Sequence, residues 1–227
     1  MTTYALIHGA GDVAWYWHLV ADELRQRGHD VVAVDLPCDD ESAGLSVYAD
    51  TVVDAIGDRT DLVVVAQSFG GYTAPIVCDR APVDLLVLVA GMVPAPGESA
   101  REMFANTGYQ QEEQEDGSDL TVFYHDVAPD LAAEALAKGR KQAETPWQEP
   151  WPLAAWPVVP TKYLLCCDDR VFPAAWTRRV VRERLGIIPD EIESGHCPAL
   201  SRPMELAERL EAYRSAGQVQ AKVGTER

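Results

Sequence analysis

The chain has 227 residues, 47% of them hydrophobic, and a formal net charge of −17. That length suits one α/β domain carrying an insertion, and no apolar run approaches the roughly 20 residues that cross a bilayer. The acidic balance argues against nucleic acid and anionic membrane surfaces, so the expected partner is a small-molecule substrate, with the chain still open to pairing as a homodimer.

The chain opens on Met1-Thr2-Thr3 with no basic region and enters a strand over 4–7 at once. No secretory signal is expected there. Helical spacing runs over 15–27 and stops at Gly28, a natural C-terminal residue. A strand over 31–36 closes at Pro37, and a helix over 47–56 closes at Gly57. Next comes a wholly apolar strand over 62–66, then a helix over 72–79 and another strand over 85–90. Strands alternating with helices imply parallel pairing and right-handed crossovers, so the expected fold is a mostly parallel, doubly wound sheet.

The alternation stops near Met92 and resumes at Thr161. The stretch between holds Pro94, Pro96, Pro129, Pro146, Pro150, Pro152, Pro157 and Pro160, an acidic run over 112–116 and a helical pattern over 131–142. It is too long for a plain loop and reads as an inserted, mainly helical lid. Beyond it come a strand over 163–167, a helix over 174–185, a strand-like run over 187–192 and a last helix over 204–213. The expected organisation is therefore a body over 1–92 and 161–214, a lid over 93–160, and a fraying tail over 215–227. The five cysteines, Cys38, Cys78, Cys166, Cys167 and Cys197, are odd in number and lack zinc-ligand spacing. They read as reduced thiols in a cytoplasmic protein with no metal or other cofactor.

The chemistry centres on Ala66-Gln67-Ser68-Phe69-Gly70. A strand that turns at once into a helix holds the turning residue in a strained conformation, which requires small neighbours. The hydroxyl is then lifted clear of the sheet. Here Ala66 stands where such an elbow usually has its first glycine; the plainer reading is a serine capping an ordinary strand–helix junction. A serine needs a base, and histidine suits neutral pH. Of His8, His18, His29, His125 and His196, the last sits in a loop, Ser194-Gly195-His196-Cys197-Pro198, after the last strand. Sites gather in such loops at the carboxyl edge of a parallel sheet. The orienting acid is expected after the preceding strand, where Asp168 and Asp169 both stand. Two amides would complete an oxyanion hole, that of Phe69 after the nucleophile and that of Ala10 in the glycine turn His8-Gly9-Ala10-Gly11.

Taken together, the chain resembles an α/β-hydrolase of the small, lid-bearing esterase and hydroxynitrile-lyase type. The matching pieces are Leu6 to Ala10, Ala14 to Trp17, Gly28 to Val31 leading into Val34 to Leu36, Ser68 in its elbow, Asp169 with Pro173 four positions on, Gly195-His196, and Ser201 to Pro203. The resemblance implies a triad of Ser68, His196 and Asp169, since the family's aspartate precedes a short apolar stretch and a proline. In the lyase branch a threonine usually stands where Gly9 stands, and a lysine follows the catalytic histidine where this chain has Cys197. The expectation is a serine hydrolase that cleaves a small apolar or aromatic carboxylic ester through an acyl-enzyme. The alternatives are lyase chemistry on the same triad and a slow-turnover ligand-binding protein. The expected pocket is walled by Trp15, Met92, Tyr124, Trp147, Trp151 and Phe172, with packing of the lid onto the body as the other role open to its tryptophans.

Overall fold

The computed structural model describes residues 1–110 and 117–225. The acidic run at 112–116 lies outside the described residues. Six strands, β1 (Thr3–Ile7), β2 (Asp30–Ala33), β3 (Leu62–Gln67), β4 (Val83–Val89), β5 (Thr161–Cys166) and β6 (Asp190–Ile192), form one sheet. Its order is β2-β1-β3-β4-β5-β6, and every pairing is parallel. The order reverses between β1 and β3, so the loops leaving those strands diverge and open a crevice at their carboxyl ends.

The central strands read as continuous apolar runs because both faces are covered. Along β3, Val64 packs on one side with α2 (Leu45–Ile56), α3 (Gly70–Arg80) and α8 (Ala174–Leu185). Val63 and Val65 pack on the other, with α1 (His18–Gln26) and the last helix. A single turn of 3-10 helix, Ala14–Trp17, leads into α1 and buries Tyr16 and Trp17. The sheet thus follows the expected class, and each strand lies within a few residues of its predicted position.

The 93–160 stretch leaves β4 and returns at β5. It carries α4 (Ala100–Asn106), α5 (Asp119–Phe123), α6 (Pro129–Lys138) and α7 (Thr145–Gln148). The spacing over 131–142 marks only α6. Ser99 and Glu102 form a reciprocal cap that starts α4, a Ser-x-x-Glu signal visible in the sequence. Trp151 anchors the stretch to the body: it is 1% exposed, and its indole N–H donates to the Tyr72 carbonyl at 3.1 Å.

After the short α9 (Pro198–Ser201), the final helix α10 spans Pro203–Thr225. It continues past Tyr213, whereas the loss of apolar periodicity predicts an irregular tail. Residues such as Ala216, Gln218, Gln220, Ala221 and Lys222 favour helix without needing a buried face, which a periodicity reading does not register.

Candidate active site

Ser68 sits between the end of β3 and the start of α3 with φ of 51°, a left-handed conformation that few non-glycine residues adopt. The turn survives because its surroundings have no room for anything larger. A Cβ on Gly70 would lie 2.8 Å from the His8 carbonyl oxygen, and one on Gly71 only 2.1 Å from that of Met92. The Met92 and Gly71 amides both donate to the Ser68 carbonyl, at 2.9 and 3.0 Å. Ser68 itself is half-buried, so its hydroxyl is reachable from solvent.

The loops after β5 and β6 bring an acid–base pair together. His196 Nδ1 and Asp169 Oδ2 are 2.8 Å apart, and both side chains are 2% exposed. The other carboxylate oxygen, Oδ1, accepts from the Val171 and Phe172 amides at 2.7 and 2.9 Å. Asp169 therefore cannot swing away, and it holds Nδ1 as the protonated nitrogen. His196 Nε2 is buried with no hydrogen-bond partner among the described residues, as a base awaiting a proton would be. No Ser68–His196 hydrogen bond is formed, and catalytic contacts of this kind often tighten only with substrate bound. Asp168 is exposed and contributes its amide to the Ser194 carbonyl, so of the two aspartates only Asp169 meets the imidazole. Phe172 and Phe123 meet the His196 ring edge-on at 5.1 and 5.5 Å. The buried Gln67 donates from Nε2 to the His196 carbonyl at 3.1 Å, tying the His196 loop to the strand that carries Ser68. The sequence pattern gives no signal of this contact.

The turn after β1 is fixed by His8. The Leu36 amide donates to His8 Nε2 at 3.0 Å, so Nδ1 carries the proton and donates to the Gly9 carbonyl at 2.8 Å. Burial pushes this imidazole down to about 4, which keeps it neutral. Neither the Ala10 nor the Phe69 amide donates a hydrogen bond among the described residues, whereas the next amide, Gly11, is taken by Gln142 Oε1 at 3.0 Å. Gly11 has φ of 63°, and its carbonyl accepts from the Arg140 amide at 2.6 Å.

A cavity of about 430 Å³ opens beside this turn, lined by Ala10, Gly11, Asp12, Asp119, Phe123, Tyr124, Arg140 and Gln142 together with Ala135 and Leu136 of α6 and Gly139. Of the expected pocket residues, only Tyr124 lines it. Trp151 is core. Met92 is buried behind the elbow, and Phe172 packs on His196. Trp147 stacks flat on Phe69 at 4.4 Å, and Trp15 stacks on His18. Trp156, also in the insertion, lines a separate small cavity with Arg184 and Ile187. Aromatic content draws attention to the tryptophans, but the cavity wall is largely polar. Its carboxylate Asp12 is pushed up to about 6, mainly by burial. The insertion also touches the loops that carry the pair: Arg170 donates to the Thr121 carbonyl at 2.9 Å, and Asp126 accepts from the Gly195 amide at 2.8 Å.

The five cysteines are free thiols. Among the described residues no His, Cys, Asp and Glu group is arranged to hold a metal ion, and no helix is long and apolar enough to cross a membrane.

Comparison with known proteins places these features in context. The profile of the alpha/beta hydrolase family matches residues 5–209. Norfluorocurarine synthase 1 of a Strychnos species is 24% identical over 92% of this chain and 93% of its own length. Methylesterase 2 of Arabidopsis thaliana is 24% identical over 91% and 94%. Among solved structures, polyneuridine aldehyde esterase superposes with a TM-score of 0.79 at 19% identity, covering 94% of this chain and 99% of that one. A pyrethroid hydrolase from Sphingobium faniae JZ-2 does so with a TM-score of 0.77 at 21% identity, covering 95% and 98%.

Proposed function

The chain belongs to the alpha/beta hydrolase family, and from that premise we propose that it is a serine esterase acting on small carboxylic esters. Ser68 Oγ attacks the ester carbonyl while His196 Nε2 takes its proton. Asp169 holds the imidazole tautomer and stabilises the imidazolium that forms. The Ala10 and Phe69 amides receive the oxyanion. The imidazolium then protonates the leaving alcohol, and water, activated by the same imidazole, releases the acid from Ser68. Phe123 and Tyr124 offer the aromatic surface for an apolar or aromatic part of the ester. The 93–160 stretch acts as the lid, supplying most of the cavity wall.

The observation that carries this reading is the buried His196–Asp169 hydrogen bond, which leaves Nε2 unpartnered at the sheet edge where Ser68 turns. Relatives named as methylesterases and methyl jasmonate esterase add support for ester cleavage. Against the lyase alternative stands the seat of Gly9. A Cβ there would lie 2.5 Å from Gln67 Oε1 and 3.0 Å from Ser68 Cβ, so a threonine would displace the Gln67 side chain that holds the His196 carbonyl. Cys197, where the lyase branch has lysine, is fully buried and its thiol is pushed up by desolvation. The test is hydrolysis of p-nitrophenyl and methyl esters by the wild type and by Ser68→Ala. Turnover that falls by about 10³ or more in a folded variant is expected. Mandelonitrile cleavage without ester turnover would overturn the reading.

A further inference from the structure

We propose that the cavity beside the oxyanion turn receives the cationic arm of an ester, a quaternary or protonated amine, with Asp12 as its counter-ion and Phe123 and Tyr124 as its aromatic walls. This rests on the serine-esterase reading and narrows its substrate class.

Asp12 lies two residues beyond Ala10, lines the cavity, and is close enough to His196 for their charges to interact. Its Oδ1 accepts from the Val13 amide at 2.8 Å, which fixes the side chain. Its Oδ2 has no hydrogen-bond partner among the described residues. The cavity's own cation does not neutralise it by contact: Arg140 gives Nη2 to the Leu36 carbonyl at 2.6 Å and Nη1 to Asp39 at 3.3 Å. A second carboxylate, Asp119, also lines the cavity and is exposed. Carboxylates beside aromatic side chains favour an ammonium group, which gains from both.

The position also makes a sharper statement about rate. A carboxylate beside the amides of an oxyanion hole repels the charge that develops there. For a neutral ester Asp12 is then a handicap. For an ester that carries its own cation the handicap is cancelled, and binding is added. One residue should therefore slow one substrate and favour the other, an effect that shape or apolar burial cannot mimic.

Acetylcholine and 3,3-dimethylbutyl acetate have nearly the same shape and differ in charge. Methyl 4-(trimethylammonio)butyrate and methyl 5,5-dimethylhexanoate repeat the comparison with the charge on the acyl side. In at least one pair, wild-type kcat/KM should favour the cation by about tenfold. Asp12→Asn keeps the Oδ1 acceptor for Val13. It should bring the ratio near one while raising kcat/KM for the neutral ester about threefold. The wild type alone supplies a second readout. Asp12 is charged above about pH 6 and takes up a proton below it, so the cation's advantage should be full at pH 7.5 and fade below pH 6. The groups around Asp12 are Arg140, Asp35, His196 and Asp119, with Tyr16, Tyr124, Cys38 and Cys197, whose pKa values burial raises so that they stay neutral across this range. The ratio of the two substrates removes what both share. Ratios near one in both wild-type pairs, or a preference that survives Asp12→Asn, would overturn the inference and leave the esterase reading standing. Failure to hydrolyse any of the four, with Ser68 unlabelled by a fluorophosphonate, would remove both.

Discussion

The sheet and the 93–160 stretch build two sides of the same site by different physics. Strands β1, β3, β4 and β5 are nearly all buried, and their register places Ser68, Asp169 and the His8–Ala10 turn at one edge with little freedom to shift. The insertion is a set of short helices held to the body by side-chain contacts, among them Gln142 to Gly11, Arg140 to Leu36, Arg170 to Thr121, Asp126 to Gly195 and the largely buried Glu98–Arg184 pair, and by buried anchors that include Trp151 and Met103. A reaction needs atoms held to within a fraction of an ångström, which a close-packed sheet supplies. Choice of substrate needs a wall that can differ without disturbing the reaction, and helices that lie outside the sheet's hydrogen-bond ladder supply that. Damage to the body should abolish chemistry. Damage to the insertion should alter selectivity or stability.

The largest effect that would sharpen this contrast is at the acid. Asp169→Asn leaves the shape but supplies an amide N–H where Nδ1–H needs an acceptor. Its kcat should fall by roughly 10²–10⁴, while Asp168→Asn should cost less than about threefold. Equal losses, or the reverse order, would break the account of the pair. Trp151→Ala comes next. Emptying its seat should cost about 3–5 kcal/mol and lower the melting temperature by roughly 6–20 °C. Rates on an aromatic and an acetyl ester should fall in parallel. A changed ratio with an unchanged melt would move Trp151 from anchor to pocket wall.

Acid should probe the body through His8. Its imidazole is held down at about 4 by burial, below the ordinary value near 6.5. The stability it contributes is present above about pH 6.5 and is lost as pH falls through about 4. That loss amounts to about 3 kcal/mol. Chemical denaturation of the wild type and His8→Gln across that window should show the difference, and identical pH slopes would contradict it. The smallest effect is at Trp147, half-buried and stacked on Phe69. Its alanine variant should change the aromatic-to-acetyl ratio by only a few-fold. A collapse of all activity would place Trp147 with the body.

What could be read beforehand divides along the same line. The strands announce themselves because fully buried parallel strands must be apolar throughout, and the elbow and the His196 loop lie in short contiguous runs. The choice between Asp168 and Asp169 is different. It turns on which side chain a loop buries, and Asp169 is fixed by the Val171 and Phe172 amides, a contact that only the folded loop makes. The cavity wall was the least legible part. Asp12, Arg140 and Gln142 come from segments more than a hundred residues apart, and nothing in the local pattern joins them. Large aromatic residues are equally suited to lining a pocket and to filling a core. Trp151 took the core because its indole N–H found the Tyr72 carbonyl there.

The central claim is that Ser68 is the covalent centre of an esterase. It is tested most directly by treating the folded protein with a fluorophosphonate and mapping the adduct by mass spectrometry. The account predicts one adduct per chain, on Ser68, formed in step with loss of ester hydrolysis and absent from Ser68→Ala. An adduct on another residue, or a Ser68→Ala protein that still hydrolyses esters at near wild-type rates, would contradict it.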